Sequence, residues 1–308
     1  MTVVAAALAV AFSLFAARDG TWSEGPPLPL ARSEVAVAAA AASVYVVGGY
    51  ANGRVDQAIV ETYDTRAGTW SERAPLPRGL NHVGLTDFGG KLYAFGGFPQ
   101  QNRGAVAGAN VYDPATNRWS PLAPVPTARG SISVAVLGDK IHLVGGRDAH
   151  SVTAHDVYDP VLNRYTSAAP IPVGRDHMGL VAFGGKLYAI AGRIDDFNHN
   201  TSFVDIYDPQ TDRWTTGAPM PSQRSGMAVA LYHERILAIG GEYGGGTFTN
   251  NEAYDPRTNQ WTALAPLPEG RHGTGAAVVG DTLYFPAGAP VNGRSRQSNV
   301  LYVFSDPR

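Results

Sequence analysis

The spacing between aromatic residues and glycine pairs limits what this chain can fold into more than any other feature. Trp22, Trp70, Trp119, Tyr165, Trp214 and Trp261 are each followed, 26 residues on, by a Gly-Gly or Ala-Gly pair. These pairs begin at Gly48, Gly96, Gly145, Ala191, Gly240 and Ala287. A spacing kept six times means one supersecondary unit repeated six times, whose apolar faces are covered only by stacking on neighbours.

Each unit reads as four strands. In the stretch from Trp119 to Gly146, the apolar segment 131–137 follows Pro124-Val125-Pro126. The Gly138-Asp139 turn then makes a hairpin into a second strand, 141–144, which the glycine pair ends. A third strand closes on Tyr-Asp, at Tyr63, Tyr112, Tyr158, Tyr207 and Tyr254. Four of these are followed by Pro, and then come Asn117, Asn163, Asp212 and Asn259, with Gly68 in the first unit. Asp bonding, Pro-fixed φ and a residue that tolerates left-handed backbone make a β-turn. The fourth strand carries the aromatic residue, seven positions after the Tyr.

The Gly-Gly, Tyr-Asp-Pro, Trp and post-Pro-x-Pro Arg positions together resemble the kelch motif, across residues 20–304. The resemblance implies an all-β, six-bladed β-propeller with four antiparallel strands per blade. The ends of the chain predict how it closes. Trp22 is a fourth strand with no partners before it. The last unit has strands at 274–279, 282–285 and 299–304 but stops short of its Trp position. The strand around Trp22 is therefore expected to complete the sixth blade and remove two open sheet edges. Residues 18–308 read as one domain. Residues 1–17 read as an apolar leader resembling a signal peptide, from which export to a periplasmic or extracellular location is expected.

Composition narrows the function. A net charge of −2 leaves no electrostatic footprint for nucleic acid, and the leader is too short for a stable membrane span. A monomer is expected. With no cysteine, thiolate metal sites and disulfides are excluded. Kelch propellers include copper-radical sugar oxidases, whose cross-linked cofactor requires a Cys, and that chemistry is excluded too. Some kelch specifier proteins bind iron through spaced Glu, Asp and His. Here Ala191 stands where a Glu would precede Asp195, so that match fails. No cofactor is expected.

Length varies only between the glycine pair and the Tyr, with separations of 15, 16, 13, 16 and 14. One face of the propeller therefore carries the variable loops, and loops that vary on a rigid scaffold are where sites are built. Two sets of positions are expected to line the channel mouth there. One follows the glycine pair, as Tyr50, Phe98, Arg147, Arg193, Glu242 and Ala289. The other lies four and five residues after Pro-x-Pro, as Ser33/Glu34, Asn81/His82, Gly130/Ser131, Asp176/His177, Ser225/Gly226 and His272/Gly273. By resemblance to ligand-capturing kelch domains, Arg147, Arg193, Asn81, His82 and His177 would face a ligand. The Arg series Arg32, Arg129, Arg175, Arg224 and Arg271 reads as scaffold, partnered by Glu61, Asn110, Asp156, Asp205 and Glu252. His82, His177 and His272 sit in alternate blades, spaced around what the repeat suggests is a wide ring. A shared metal is not expected from that geometry.

The first functional reading is a recognition module for a carbohydrate, peptide or protein. Arg147, Arg193 and Arg224 would meet carboxylates or hydroxyls, with Tyr50, Phe98 and Tyr243 as stacking faces. The second rests on the resemblance, since kelch propellers include six-bladed sialic-acid mutarotases. Glu242 with Arg193 or His177 would then supply acid–base chemistry beside a carboxylate clamp. The third is a structural adaptor binding another protein through blade edges.

The closure is directly testable. Deleting residues 1–25 should lower the melting temperature by more than about 10 °C, a domain of this size moving about 2–4 °C per kcal/mol. Deleting residues 1–17 should leave it unchanged. Thermal unfolding of the two truncations checks this, and equal stability refutes the assignment of Trp22.

Overall fold

A computed structural model describes residues 20–293 and 296–306. The sequence-read leader lies outside the described residues. Six four-stranded antiparallel sheets follow one another around a central axis. Blades 1 to 5 comprise residues 36–73, 84–121, 133–167, 179–216 and 228–263. Blade 6 takes Ala277–Val279, Thr282–Pro286 and Leu301–Ser305 from one end of the chain and Thr21–Gly25 from the other. Trp22 pairs with Phe304 across that seam, as the repeat predicts.

Burial follows each strand's radial position. Second strands are buried along most of their length, as in 44–47 of blade 1, because they are covered on both faces. Fourth strands such as Trp214's are exposed at every residue except the aromatic one, which is half-buried. The apolar core is accordingly six clusters, one between each pair of neighbouring blades, including one between blades 6 and 1.

Neighbouring blades are also stitched by hydrogen bonds at both radii. On the outside, each fourth-strand aromatic reaches back to the preceding blade. Trp119 Nε1 donates to Ala74 O, Trp214 to Ala169 O, and Trp22 to Ala265 O at 2.8 Å across the seam. The turn residue before it accepts twice. Asn163 Oδ1 takes the Tyr158 hydroxyl of its own blade and the Ala123 N–H of the blade before. That explains the Tyr-to-turn spacing, and the turn residues hold φ near +50° as expected.

On the inside, the second glycine of each pair donates to the next blade. Gly49 bonds Leu80 O, Gly97 Arg129 O, Gly146 Arg175 O, Gly192 Arg224 O, Gly241 Arg271 O, and Gly288 returns to Arg32 O. The first glycine must therefore lie almost on its neighbour's backbone. A Cβ at Gly48 would sit 2.4 Å from Leu80 O. Ala191 and Ala287 accept positive φ at the same place, so two blades carry that strain.

The arginine series is scaffold, as read. Arg32–Glu61, Arg129–Asp156, Arg175–Asp205 and Arg224–Glu252 are buried ion pairs of 2.6–2.8 Å within their own blades. Arg271 pairs with Glu269 and Ser298 instead. Blade 2 lacks both partners, with Leu80 and Asn110 at these positions. A buried charge without its partner is costly; blade 2 has lost both members, and blade 6, with Tyr302 at the carboxylate position, re-pairs its Arg271 with Glu269. Replacing Arg175 by Leu should cost about 3–5 kcal/mol. Adding Asp205→Asn, which copies blade 2, should recover most of that. Urea titration of both variants measures it, and a double variant no more stable than Arg175→Leu refutes the pairing argument.

Candidate functional site

The two sequence-read sets of rim positions meet. Backbone bridges join Ser33 to Tyr50, Asn81 to Phe98, Gly130 to Arg147, Asp176 to Arg193, Ser225 to Glu242 and His272 to Ala289. The residue after each bridge turns toward the axis. Glu34, His82, Ser131, His177, Gly226 and Gly273 all have φ between 51° and 65°. Their backbones join into a ring, with His82 N–H bonding Glu34 O, Ser131 N–H bonding His82 O, and Gly226 N–H bonding His177 O. Glycine takes this conformation freely, but Glu34, Ser131 and the two histidines hold it at a cost. Gly273 also makes room, since a Cβ there would lie 2.6 Å from the Glu34 carboxylate.

This ring narrows the channel and separates two spaces. On the side of the short turns lies a cavity of about 190 Å³ walled by first strands through Val37, Leu85, Val134 and Val229. On the loop side lies one of about 220 Å³, with Glu34, His82, Arg193, Glu242 and His272 around its base. The loops that vary in length add Tyr50, Arg54, Asn102, Phe197 and Gln297 to its walls.

The expected wide spacing of the histidines is wrong. His82 and His177 have ring centroids 4.8 Å apart, and His272 Nδ1 lies 3.4 Å from the Glu34 carboxylate that His82 Nε2 meets at 3.0 Å. The left-handed backbone aims their side chains at the axis, which the strand spacing alone does not reveal. Glu34, His82 and His177 offer ligand atoms within 4.8 Å of one another. A cation among them would, however, sit beside the Arg193 guanidinium, which donates to His177 Nε2 at 2.8 Å. The cluster is tied together by hydrogen bonds and ion pairs, with His177 Nε2 already taken by Arg193.

Its electrostatics follow from burial and pairing. Arg193 donates to Glu242 at 2.6 Å, to Asp176 at 3.1 Å and to His177. Burial opposes its charge, but Glu242, Asp176 and Glu34 outweigh that and raise its pKa. Asp176 would be pushed up by burial, yet His177 and Arg193 hold its carboxyl well below the usual range. Glu34 is held low in the same way by His82, His272 and His177. His177, desolvated and facing Arg193, is pushed down to about 4. It is neutral, with Nδ1 donating to Asp176 and Nε2 accepting from Arg193. Asn81 donates to Asp56 and Phe98 O, leaving its Oδ1 to accept from His82 Nδ1. His82 Nε2 then faces the Glu34 carboxylate at 3.0 Å.

His272 is placed differently. Its Nε2 donates to Val291 O, and its Nδ1 stands between Glu34 and Glu242, 3.4 and 3.3 Å away. Neither contact forms a well-aligned hydrogen bond. Asn102 Oδ1 and Gln297 Oε1, from the same cavity's walls, are also buried without one. Buried polar atoms are normally satisfied, so these three offer hydrogen-bonding positions to whatever fills the cavity, water included.

Other expected site residues are displaced. Arg224 is fully buried in its ion pair and cannot reach a ligand. Phe98 is fully buried and Tyr50 nearly so, and both rings pack edge-on against His82 rather than offering stacking faces. Arg147 folds onto Asp195 O and Ala149 O, away from the cavity. Asn81, Asp176 and His177 support the base, while Arg193, Glu242, His82 and His272 line it. Glu34, Arg54, Asn102 and Gln297 were not singled out for ligand binding. Glu34 is marked by a glycine at its equivalent in two blades, which signals a left-handed position. The others lie in the length-varying loops.

A sequence model described as N-acetylneuraminate epimerase matches residues 64–277, and one described as Kelch motif matches residues 31–77. Among solved structures, "Structure of YjhT" is similar with a TM-score of 0.77 at 17% identity, over 90% of this chain and 95% of that one. That likeness is one of fold. No curated protein gives a significant sequence match.

The buried histidines set the acid response. His177, and His142 in blade 3, are held to about 4 against an ordinary 6.5, both chiefly by burial. Between those values the unfolded chain binds the extra proton, so stability is complete above about pH 6.5 and falls as the pH drops toward 4, by about 1.4 kcal/mol per pH unit per group. His142→Tyr, copying the residue at that position in four other blades, should flatten the slope by one proton. Urea midpoints across this range check it, and an unchanged slope overturns the assignment.

Proposed function

The chain belongs to the N-acetylneuraminate epimerase family, and we propose that its loop-side cavity binds an acidic sugar of the N-acetylneuraminate class and speeds exchange at its anomeric carbon. The observation that carries this reading is His272 Nδ1, buried between two carboxylates and without a well-formed hydrogen bond, at the base of a cavity with other unsatisfied polar atoms. Anomeric exchange needs a proton taken from the anomeric hydroxyl as the ring C–O bond breaks, and a proton given to the ring oxygen. Reclosure on the other face reverses both transfers. No electrons are exchanged and no cofactor is consumed.

Imidazole is suited to both transfers near neutral pH. With Nε2 donating to Val291 O, the neutral His272 ring presents Nδ1 as a base. Once protonated, Nδ1 is an acid flanked by Glu34 and Glu242, which stabilise the imidazolium. Arg193 fixes Glu242 in that position through their 2.6 Å bond. The sequence reading of Glu242 with Arg193 as the acid–base core is kept in part. His177 becomes an orienting group, because both its nitrogens are already bonded. The carbohydrate ligand of the recognition-module reading is kept, and turnover is added to it.

Anomer exchange of N-acetylneuraminate followed by NMR tests the proposal. The protein should accelerate exchange, and His272→Ala should lower the catalysed rate at least about 100-fold, while its melting temperature stays close to the parent's. A parent rate equal to the uncatalysed one rejects the enzymatic reading. Stabilisation by the sugar without exchange would return the site to a recognition module.

A further inference from the structure

We infer that Arg54, rather than Arg193, receives the anionic group of the ligand, an inference that rests on the cavity taking an acidic sugar. Two arginines line the cavity among the described residues. Arg193 is the expected carboxylate clamp, but its charge is already matched. Glu242 and Asp176 both pair with it, and a third of its N–H groups donates to His177. A ligand carboxylate entering beside it would face the Glu242 carboxylate, which Arg193 already holds at 2.6 Å, and the Glu34 carboxylate at the same base.

Arg54 stands in the opposite condition. It is half-buried, and its hydrogen bond goes to a backbone carbonyl, that of Gly293, with no carboxylate paired to it among the described residues. It sits at the tip of the blade 1 loop, between the two-residue strands Tyr50–Ala51 and Val55–Asp56, with φ at +58°. The loop's base is tied down, because Asp56 accepts from Asn81, which in turn holds His82. The guanidinium is close enough to Tyr50 for its charge to act on the hydroxyl, whose pKa is raised mainly by burial and then by Glu34 and Asp56. That hydroxyl is therefore a donor. Arg54 and Tyr50 together form a cationic, hydrogen-bond-donating wall facing the acid–base groups. An Arg released from a neutral carbonyl to a carboxylate exchanges a weaker bond for a charge-assisted, bidentate one.

The assignment separates two roles that the Arg54–Gly293 bond alone would confuse. As an anion receptor, Arg54 matters only when the ligand carries a carboxylate. As a strap between the loops of blades 1 and 6, it matters for any ligand. The test compares N-acetylneuraminate with its neutral methyl ester, on the full chain and on Arg54→Ala and Arg54→Lys. Dissociation constants come from calorimetric titration and exchange rates from NMR. Arg54→Ala should weaken the acid about 10- to 100-fold, as expected for loss of a hydrogen bond to a charged group. It should leave the ester within about twofold, and Arg54→Lys should retain part of the preference. Equal losses for acid and ester would overturn the inference in favour of a strap, and unchanged binding of the acid would overturn it outright. Binding of the acid without exchange, with Arg54→Ala selective against it, would sustain Arg54 and reject the catalytic reading. Absence of binding to the parent protein would reject both.

Discussion

The ring of inter-blade hydrogen bonds from the second glycine of each pair is the constraint on which the rest depends. Each of these bonds brings one blade's second strand onto the backbone of the next blade at the residue just before its rim position. That distance sets the radius of the inner ring. The radius decides whether groups from alternate blades converge or stay apart. Six blades with this contact leave an axis narrow enough for His82, His177 and Glu34 to meet. The outer stitches from Trp and the turn Asn or Asp hold the blade angles but do not reach the site. The chemistry of the site is thus a product of inner packing, with loops providing only its walls.

Much of the fold was legible because it is periodic. The Trp-to-glycine spacing is set by two strands and a hairpin of fixed length, and any slip would reverse which side chains face the neighbouring blade. Closure by Trp22 was legible for the same reason, since an incomplete first unit and an incomplete last unit add up to one blade. The scaffold role of Arg129 and its equivalents was legible from their repetition beside an acidic position.

The site was legible as a set of positions but not as a geometry. Spacing places His82, His177 and His272 in alternate blades, which is correct, yet distance to the axis depends on backbone conformation. Gly226 and Gly273 held the clue, because a position that is glycine in some repeats is one where left-handed backbone is required. Phe98 and Tyr50 misled for a related reason. A large aromatic at a variable position reads as a ligand platform, but here both rings are consumed in fixing His82. The sequence presents Arg193 without a partner, and only the three-dimensional arrangement shows that Glu242 and Asp176 already pair its charge.

Blade 2 shows how such a repeat can change over time. Its Leu80 and Asn110 occupy the places where four other blades have a buried Arg and a carboxylate. Either single replacement strands a charge in the interior, so a lineage moving between the two states crosses a less stable intermediate. The closed ring softens that crossing, since the other five blades and the seam continue to hold the damaged one in place. Drift in the sequence of one blade is therefore buffered by the rest, and blade 6 shows the other way through, a single change at the carboxylate position with Arg271 re-paired to Glu269.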